Sequence, residues 1–144
     1  MVRTIAVGTD GSDTASRAVE FAMDMAERYG AKLVIGSAYT PVSEDRLRKE
    51  QVDAPQEIQW SINPSEDVDR TLREAEETAK ERGLKYASEA RNGDPADVLC
   101  DIAEAHEADV LVVGNKGMER RILGSVPNSV SHKAPCSVMI VKTA

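Results

Sequence analysis

The sequence predicts an α/β fold, an open five-stranded parallel sheet in the order 3-2-1-4-5 with helices on both faces. Three observations point to it. Short apolar runs alternate with stretches of helical spacing in the order β-α-β-loop-α-β-α-β-α-β, and that alternation requires parallel strands joined by right-handed crossovers. The runs themselves, RTIAVGT, LVIGSAY and VLVV among them, are short and continuous, as buried strands are. At 144 residues and 41% hydrophobic content the chain can build one core and is too short for two ordinary ones, so residues 1–144 are expected to form a single domain.

Residues 3–9 read as the first strand, followed by the turn Asp10-Gly11-Ser12-Asp13. Ala15, Ala18, Val19, Ala22, Ala26 and Tyr29 then recur at helical spacing, with Arg17, Glu20, Asp24 and Glu27 on the other side and Gly30 as the stop. Lys32–Tyr39 contains the second strand, which Pro41 ends. From there to Ile62 the chain holds charges, prolines and the only tryptophan, Trp60, with no clear period; it reads as a variable loop with a short helical piece at 44–51. Asn63-Pro64-Ser65-Glu66 supplies a cap residue, a proline at the first helical position and a glutamate at the third. Val68, Leu72, Ala75 and Ala79 continue that helix as one apolar stripe ending near Gly83. Residues 85–91 read as a third strand, and Asp94-Pro95 opens a helix with Val98, Leu99, Ile102, Ala103 and His106 turned inward. Asp109 leads into the most hydrophobic strand, and after a glycine-containing loop come a short helix, Ser125–Lys133, and a final strand, Ser137–Val141.

Charge and composition narrow the function. A net charge of −7 repels nucleic-acid phosphates and acidic membrane surfaces, which argues against either as a partner. The charge is uneven: from Gly114 onward Lys116, Arg120, Arg121, Lys133 and Lys142 face Glu119 alone, a net of +4, which leaves −11 on the first 113 residues. Such a basic tail is either a small anion site or a solvated face. The N-terminus MVRTIAVGTD has no cleavable apolar region, and no apolar run approaches the roughly 20 residues that span a bilayer, so a cytoplasmic protein is expected. Cys100 and Cys136 lie in apolar surroundings without metal-type spacing and read as core thiols.

In a 3-2-1-4-5 sheet the chain reverses direction between the first and fourth strands, and ligands sit in the crevice beyond the carboxyl ends there. Those ends are Thr9-Asp10 and Gly114-Asn115-Lys116-Gly117, and the second loop runs on through Gly124-Ser125 into a helix start. Glycine lets backbone approach a ligand closely, and a helix N-terminus offers unpaired N–H groups to a phosphate; the competing reading is that these glycines only make tight turns. His106 and His132 have no nucleophile arrangement near them and read as ordinary surface or core histidines. Trp60 reads as a loop anchor rather than a cover for a ligand. Asp10 is a single carboxylate that would suit a magnesium ion held against phosphates.

The stretches VGTDGSDTASRAV and VVGNKGMERRILGSVPNSVSHKAPCSVMIVK resemble the first turn and the Gly-x-x-Gly, loop, Gly-Ser signature of the universal stress proteins, and the order of elements agrees along all but residues 40–62. The resemblance implies a Rossmann-like fold of the adenine nucleotide alpha hydrolase type and a stress-response role. It also implies an adenine nucleotide as ligand: ATP first, with AMP or cyclic AMP as alternatives. By position, Thr9 and Asp10 would lie against ribose and phosphates, and Ala38 would offer backbone groups to the adenine edge. Gly114, Asn115, Lys116 and Gly117 would border ribose and phosphates, while Gly124, Ser125 and Val126 would hold phosphates through N–H groups and the serine hydroxyl. The loop between Gly117 and Gly124, residues 118–123, is shorter than in the family's ATP-binding members. The resemblance further implies a regulatory, non-catalytic module that dimerises through its last strand; a slow ATP hydrolase and a stress protein without ligand are the alternatives.

Overall fold

The computed structural model describes residues 1–39, 65–115 and 125–142. In chain order these form β1 (Thr4–Gly8), α1 (Asp13–Tyr29), β2 (Lys32–Tyr39), α2 (Ser65–Glu81), β3 (Tyr86–Asn92), α3 (Pro95–Ala105), β4 (Val110–Gly114), α4 (Ser125–Lys133) and β5 (Ser137–Val141). The strands are ordered β3-β2-β1-β4-β5 and every neighbouring pair is parallel, as the alternation of elements predicts.

Helices cover both faces because side chains alternate along each strand. Ile5, Val7, Leu33, Ile35 and Val112 pack beneath α1 and α2, and Ala6, Val34, Ala38, Leu111 and Val113 pack beneath α3 and α4. Gly8 and Gly36 stand side by side in the register of β1 and β2. Together they form a floor without side chains, on which Leu99 and Ile102 of α3 press directly. Local signals place the helix ends: the Ser12 hydroxyl accepts the Ala15 N–H, Gly30 closes α1 at φ +64°, and Asp94 caps α3 one residue before Pro95.

Several expectations shift. β1 is shorter than 3–9, although Arg3 and Thr9 still pair with β2 from its flanks, and β3 runs one residue later than 85–91. Tyr29 is 55% exposed, because it ends α1 on the flank of the buried stripe, whose last core residue is Ala26. His106 closes α3 as its C-cap and keeps the inward side: its N–H still donates to the Ile102 carbonyl at 3.1 Å, and Glu107 turns to φ +54° only after it. From there the part-buried His106 ring hydrogen-bonds Glu89 of β3 at 2.9 Å. Cys100 is buried and Cys136 half-buried, both are free, and desolvation raises the pKa of each thiol. The piece at 44–51, Trp60 and the Asn63-Pro64 cap lie outside the described residues. No helix among the described residues is long and apolar enough to cross a membrane.

Candidate functional site

Three described polar residues are buried almost completely, Thr9 at 2%, Ser37 at 1% and Asn115 at 1%, and all three lie where β1, β2 and β4 reach their carboxyl ends. Burying a polar group costs free energy unless it is hydrogen-bonded. That requirement is met: no buried side-chain nitrogen or oxygen among the described residues lacks a partner. The Thr9 N–H donates to the Gly36 carbonyl at 3.0 Å, and the Ser37 hydroxyl donates to the Thr9 carbonyl at 2.7 Å, so β2 clamps the end of β1 from two sides. The turn beyond is held by its own side chains. Thr9 Oγ1 accepts the Gly11 N–H at 3.2 Å and Asp10 Oδ1 accepts the Ser12 N–H at 2.9 Å, an Asx turn. Gly11 sits at φ +82° beneath α2, where a Cβ would come within 2.6 Å of Thr71 Oγ1; the turn therefore needs glycine for both conformation and space.

Thr9 and Asp10 thus stand at the switch point, and the Thr9 hydroxyl braces the turn from the interior. Ala38 has its methyl in the core under α3, 3% exposed, so any role it has is through backbone. Backbone groups alternate between neighbours along a strand. Gly36 accepts from Thr9 of β1 and Tyr39 accepts from Gly93 on the other side. Ala38, two residues from Gly36, accordingly turns its N–H and C=O toward the β1 side, past the last bond between those two strands. Gly114 ends β4 and Asn115 follows it into the interior. Ser125 is exposed at the first position of α4, and half-buried Val126 packs on the core of the α3–α4 face. Because α4 is the crossover from β4 to β5, its N-terminus lies at the carboxyl end of β4, with the helix dipole's positive end there. Lys116, Gly117 and Gly124 lie outside the described residues, as do Arg120 and Arg121. Of the basic tail, Lys133 pairs with Asp97 at 3.1 Å and ties α4 to α3 rather than serving this end of the sheet.

Sequence reasoning missed Ser37 and Thr71. A lone hydroxyl inside the apolar run LVIGSAY was a readable oddity, but its partner, a carbonyl 28 residues earlier, was not. No cluster of three or more His, Cys, Asp or Glu that would hold a metal occurs among the described residues. The arrangement as a whole, backbone groups at the ends of β1 and β2 beside a helix N-terminus, suits a ligand with a planar polar edge and an anionic end.

The family model for the universal stress protein family matches residues 1–142. A universal stress protein of Mycobacterium tuberculosis is 39% identical over 145 residues, covering 98% of this chain and 97% of its own. One from Methanocaldococcus jannaschii is 31% identical over 148 residues, covering 99% of this chain and 83% of its own. Among solved structures, a universal stress protein in complex with cAMP superposes with a TM-score of 0.76 at 39% identity, covering 99% of both chains. An Arabidopsis thaliana member with AMP bound has a TM-score of 0.71 at 21% identity over 99% of this chain and 92% of its own, a likeness of fold. With its fold, its first turn and its match over nearly the whole length in agreement, the chain belongs to the universal stress protein family.

Proposed function

We propose that this chain, a single domain, is a cytoplasmic regulatory module that binds an adenine nucleotide across the carboxyl ends of β1, β2 and β4 and carries out no dedicated catalysis. The observation that carries this reading is the concentration of buried, fully bonded polar groups at that end of the sheet, Thr9, Ser37 and Asn115, in an otherwise apolar interior. A relative at 39% identity that was crystallised with cAMP supports the same ligand class. Ala38 would present its N–H and C=O to the adenine edge, so that the base is read by main chain. Thr9, Asp10, Gly114, Asn115, Lys116 and Gly117 would border ribose and phosphates, and Gly124, Ser125 and Val126 would hold phosphates at the start of α4. Asp10 would contribute one carboxylate to a magnesium ion held on the phosphates, since that hard cation prefers oxygen ligands. ATP is the first choice of nucleotide. The short 118–123 loop leaves less chain to wrap a triphosphate, and AMP and cyclic AMP follow.

We also read the chain as a homodimer paired through β5. That strand is one edge of the sheet, Met139 on it is 39% exposed, and SVMIV carries no charge to guard its unpaired backbone groups. The test of the ligand is direct: freshly purified protein is denatured and the released small molecules are identified by mass spectrometry, with parallel calorimetric titrations of ATP, AMP and cyclic AMP. Adenine nucleotide in the release, or binding of at least one of the three, is expected. An empty preparation that ignores all three removes the proposal.

A further inference from the structure

Helix α1 carries an apolar stripe that the core covers only in part, through Met25. Phe21, Met25 and Tyr29 recur every fourth residue, with Phe21 42% and Tyr29 55% exposed and Met25 half-buried, so they line one side of the helix. That side is turned away from α2. Ser16, Glu20 and Met23 face the cleft toward Thr71, Glu74 and Thr78, and Asp24 and Glu27 both take the Arg82 guanidinium at 2.5 Å. On the stripe's side lie β4 and the edge strand β5, both of which α1 touches. Met139 of β5 is in register with Val112, so it projects on the face of the sheet that α1 covers. Apart from Met1, every large hydrophobic residue exposed among the described ones, Phe21, Tyr29 and Met139, therefore belongs to one region.

The two edges of the sheet are built differently. On β3, Ser88 bonds Glu76 on one face, while Glu89 takes Arg91 and His106 on the other. Inward-directed charge of this kind discourages strand addition, and β5 has none. We propose that the Phe21–Met25–Tyr29 stripe is a contact surface for a second copy of this chain, continuous with the β5 edge; the inference rests on the β5 pairing read above. A two-fold axis normal to the sheet between paired β5 strands sets both α1 helices on the same face of a ten-stranded sheet, each stripe turned toward the seam. Strand pairing alone covers a strip about 17 Å long and about 10 Å deep, or roughly 170 Å². A stable interface needs about 800 Å² per partner. The remainder has to come from what flanks the edge, and on this face that is the stripe with Met139: Phe21 at 42% and Tyr29 at 55% exposed each have roughly half of an aromatic's 150–250 Å² still to bury.

Sedimentation equilibrium of the full chain tests this with Phe21→Glu, Tyr29→Glu and the milder double variant Phe21→Ser/Tyr29→Ser. Met139→Lys probes β5, and Asp101→Lys, on exposed α3 surface, serves as control. The parent and the control are expected to be dimers, and each stripe variant to dissociate at least about tenfold more readily, the scale of an interface residue worth more than 1 kcal/mol. Far-UV circular dichroism and thermal melting verify folding, and the serine variant serves if a charged one does not fold. If the stripe variants dimerise as tightly as the parent while Met139→Lys does not, the stripe proposal fails and the β5 reading stands. A monomeric parent overturns both, and neither result touches nucleotide binding, which calorimetry measures separately.

Discussion

Replacing Gly8 by alanine tests how α3 is seated on the sheet. A Cβ built at Gly8 lies 2.5 Å from Leu99 Cδ1, 2.9 Å from Cδ2 and 3.3 Å from Cγ. Carbon atoms pack at about 3.5–4.0 Å, so the new methyl overlaps the leucine by an ångström or more. Leu99 is 1% exposed, so its side-chain end can yield only by repacking among buried neighbours. Overpacking of this kind costs about 1–3 kcal/mol, offset by the roughly 0.5–1 kcal/mol by which alanine is preferred to glycine in a strand. With this overlap the cost prevails, and we expect a net loss of about 1–2 kcal/mol, or about 2–8 °C in Tm for a chain of this size. At Gly36 the nearest atom is Ile102 Cδ1 at 3.0 Å and the next is at 3.4 Å, so Gly36→Ala should lose less. Leu99→Ala alone opens a cavity worth about 2–5 kcal/mol, part of which the methyl introduced by Gly8→Ala fills. The double variant should therefore be more stable than the two single losses predict, by about 1 kcal/mol or more. Urea unfolding at 25 °C, followed by two probes to establish two-state behaviour, measures all four proteins. Additivity within about 0.5 kcal/mol, or a Gly8→Ala variant as stable as the parent, would refute the close-packed floor.

Gly11→Ala should destabilise the protein and weaken nucleotide binding together, because it places a side chain at φ +82° and 2.6 Å from Thr71 Oγ1; calorimetry alongside thermal melting reads both effects. Ser37→Ala removes the hydroxyl that donates to the buried Thr9 carbonyl, and urea unfolding should show a loss of about 1–3 kcal/mol. Asp109 accepts the backbone N–H groups of Arg3 and Thr4 at 2.7 and 3.0 Å, which hold its carboxyl below the usual range. A lowered folded pKa stabilises above the unfolded value, about 3.9, and that stabilisation fades as pH falls through the folded one. Asp109→Asn should therefore be less stable than the parent at neutral pH and lose less on acidification below about pH 4, as urea midpoints across pH will show. Gly117→Asp, at a position outside the described residues, should abolish most nucleotide affinity without changing the melting temperature; tight calorimetric binding by that variant would mean the glycine loop is only a turn.

The order of elements was legible in the sequence because buried parallel strands and amphipathic helices carry different periods, and the crossover rule leaves few topologies. It gave the 3-2-1-4-5 sheet, and with it the switch point to which Thr9, Asp10, Gly114 and Asn115 belong. The helix opening at Asp94 and the stop at Gly30 were likewise local, since each satisfies backbone groups within a few residues of itself, as does Ser12, which was legible only as part of a turn. What the sequence left open depends on contacts between distant segments. The bond from Ser37 to the Thr9 carbonyl, the seat of Leu99 on Gly8 and Gly36, and Thr71 over Gly11 each need two elements brought together before either residue has a meaning. Tyr29 was misplaced for a related reason: a helical period says which side a residue is on, but what lies beneath the helix's last turn is set by packing, and the partner of the inward His106, Glu89, was equally out of reach. The same holds for Phe21, which continues an apolar pattern along α1 yet stays 42% exposed on the side of the edge strand β5, while Met25 on the same stripe is half-buried against the core.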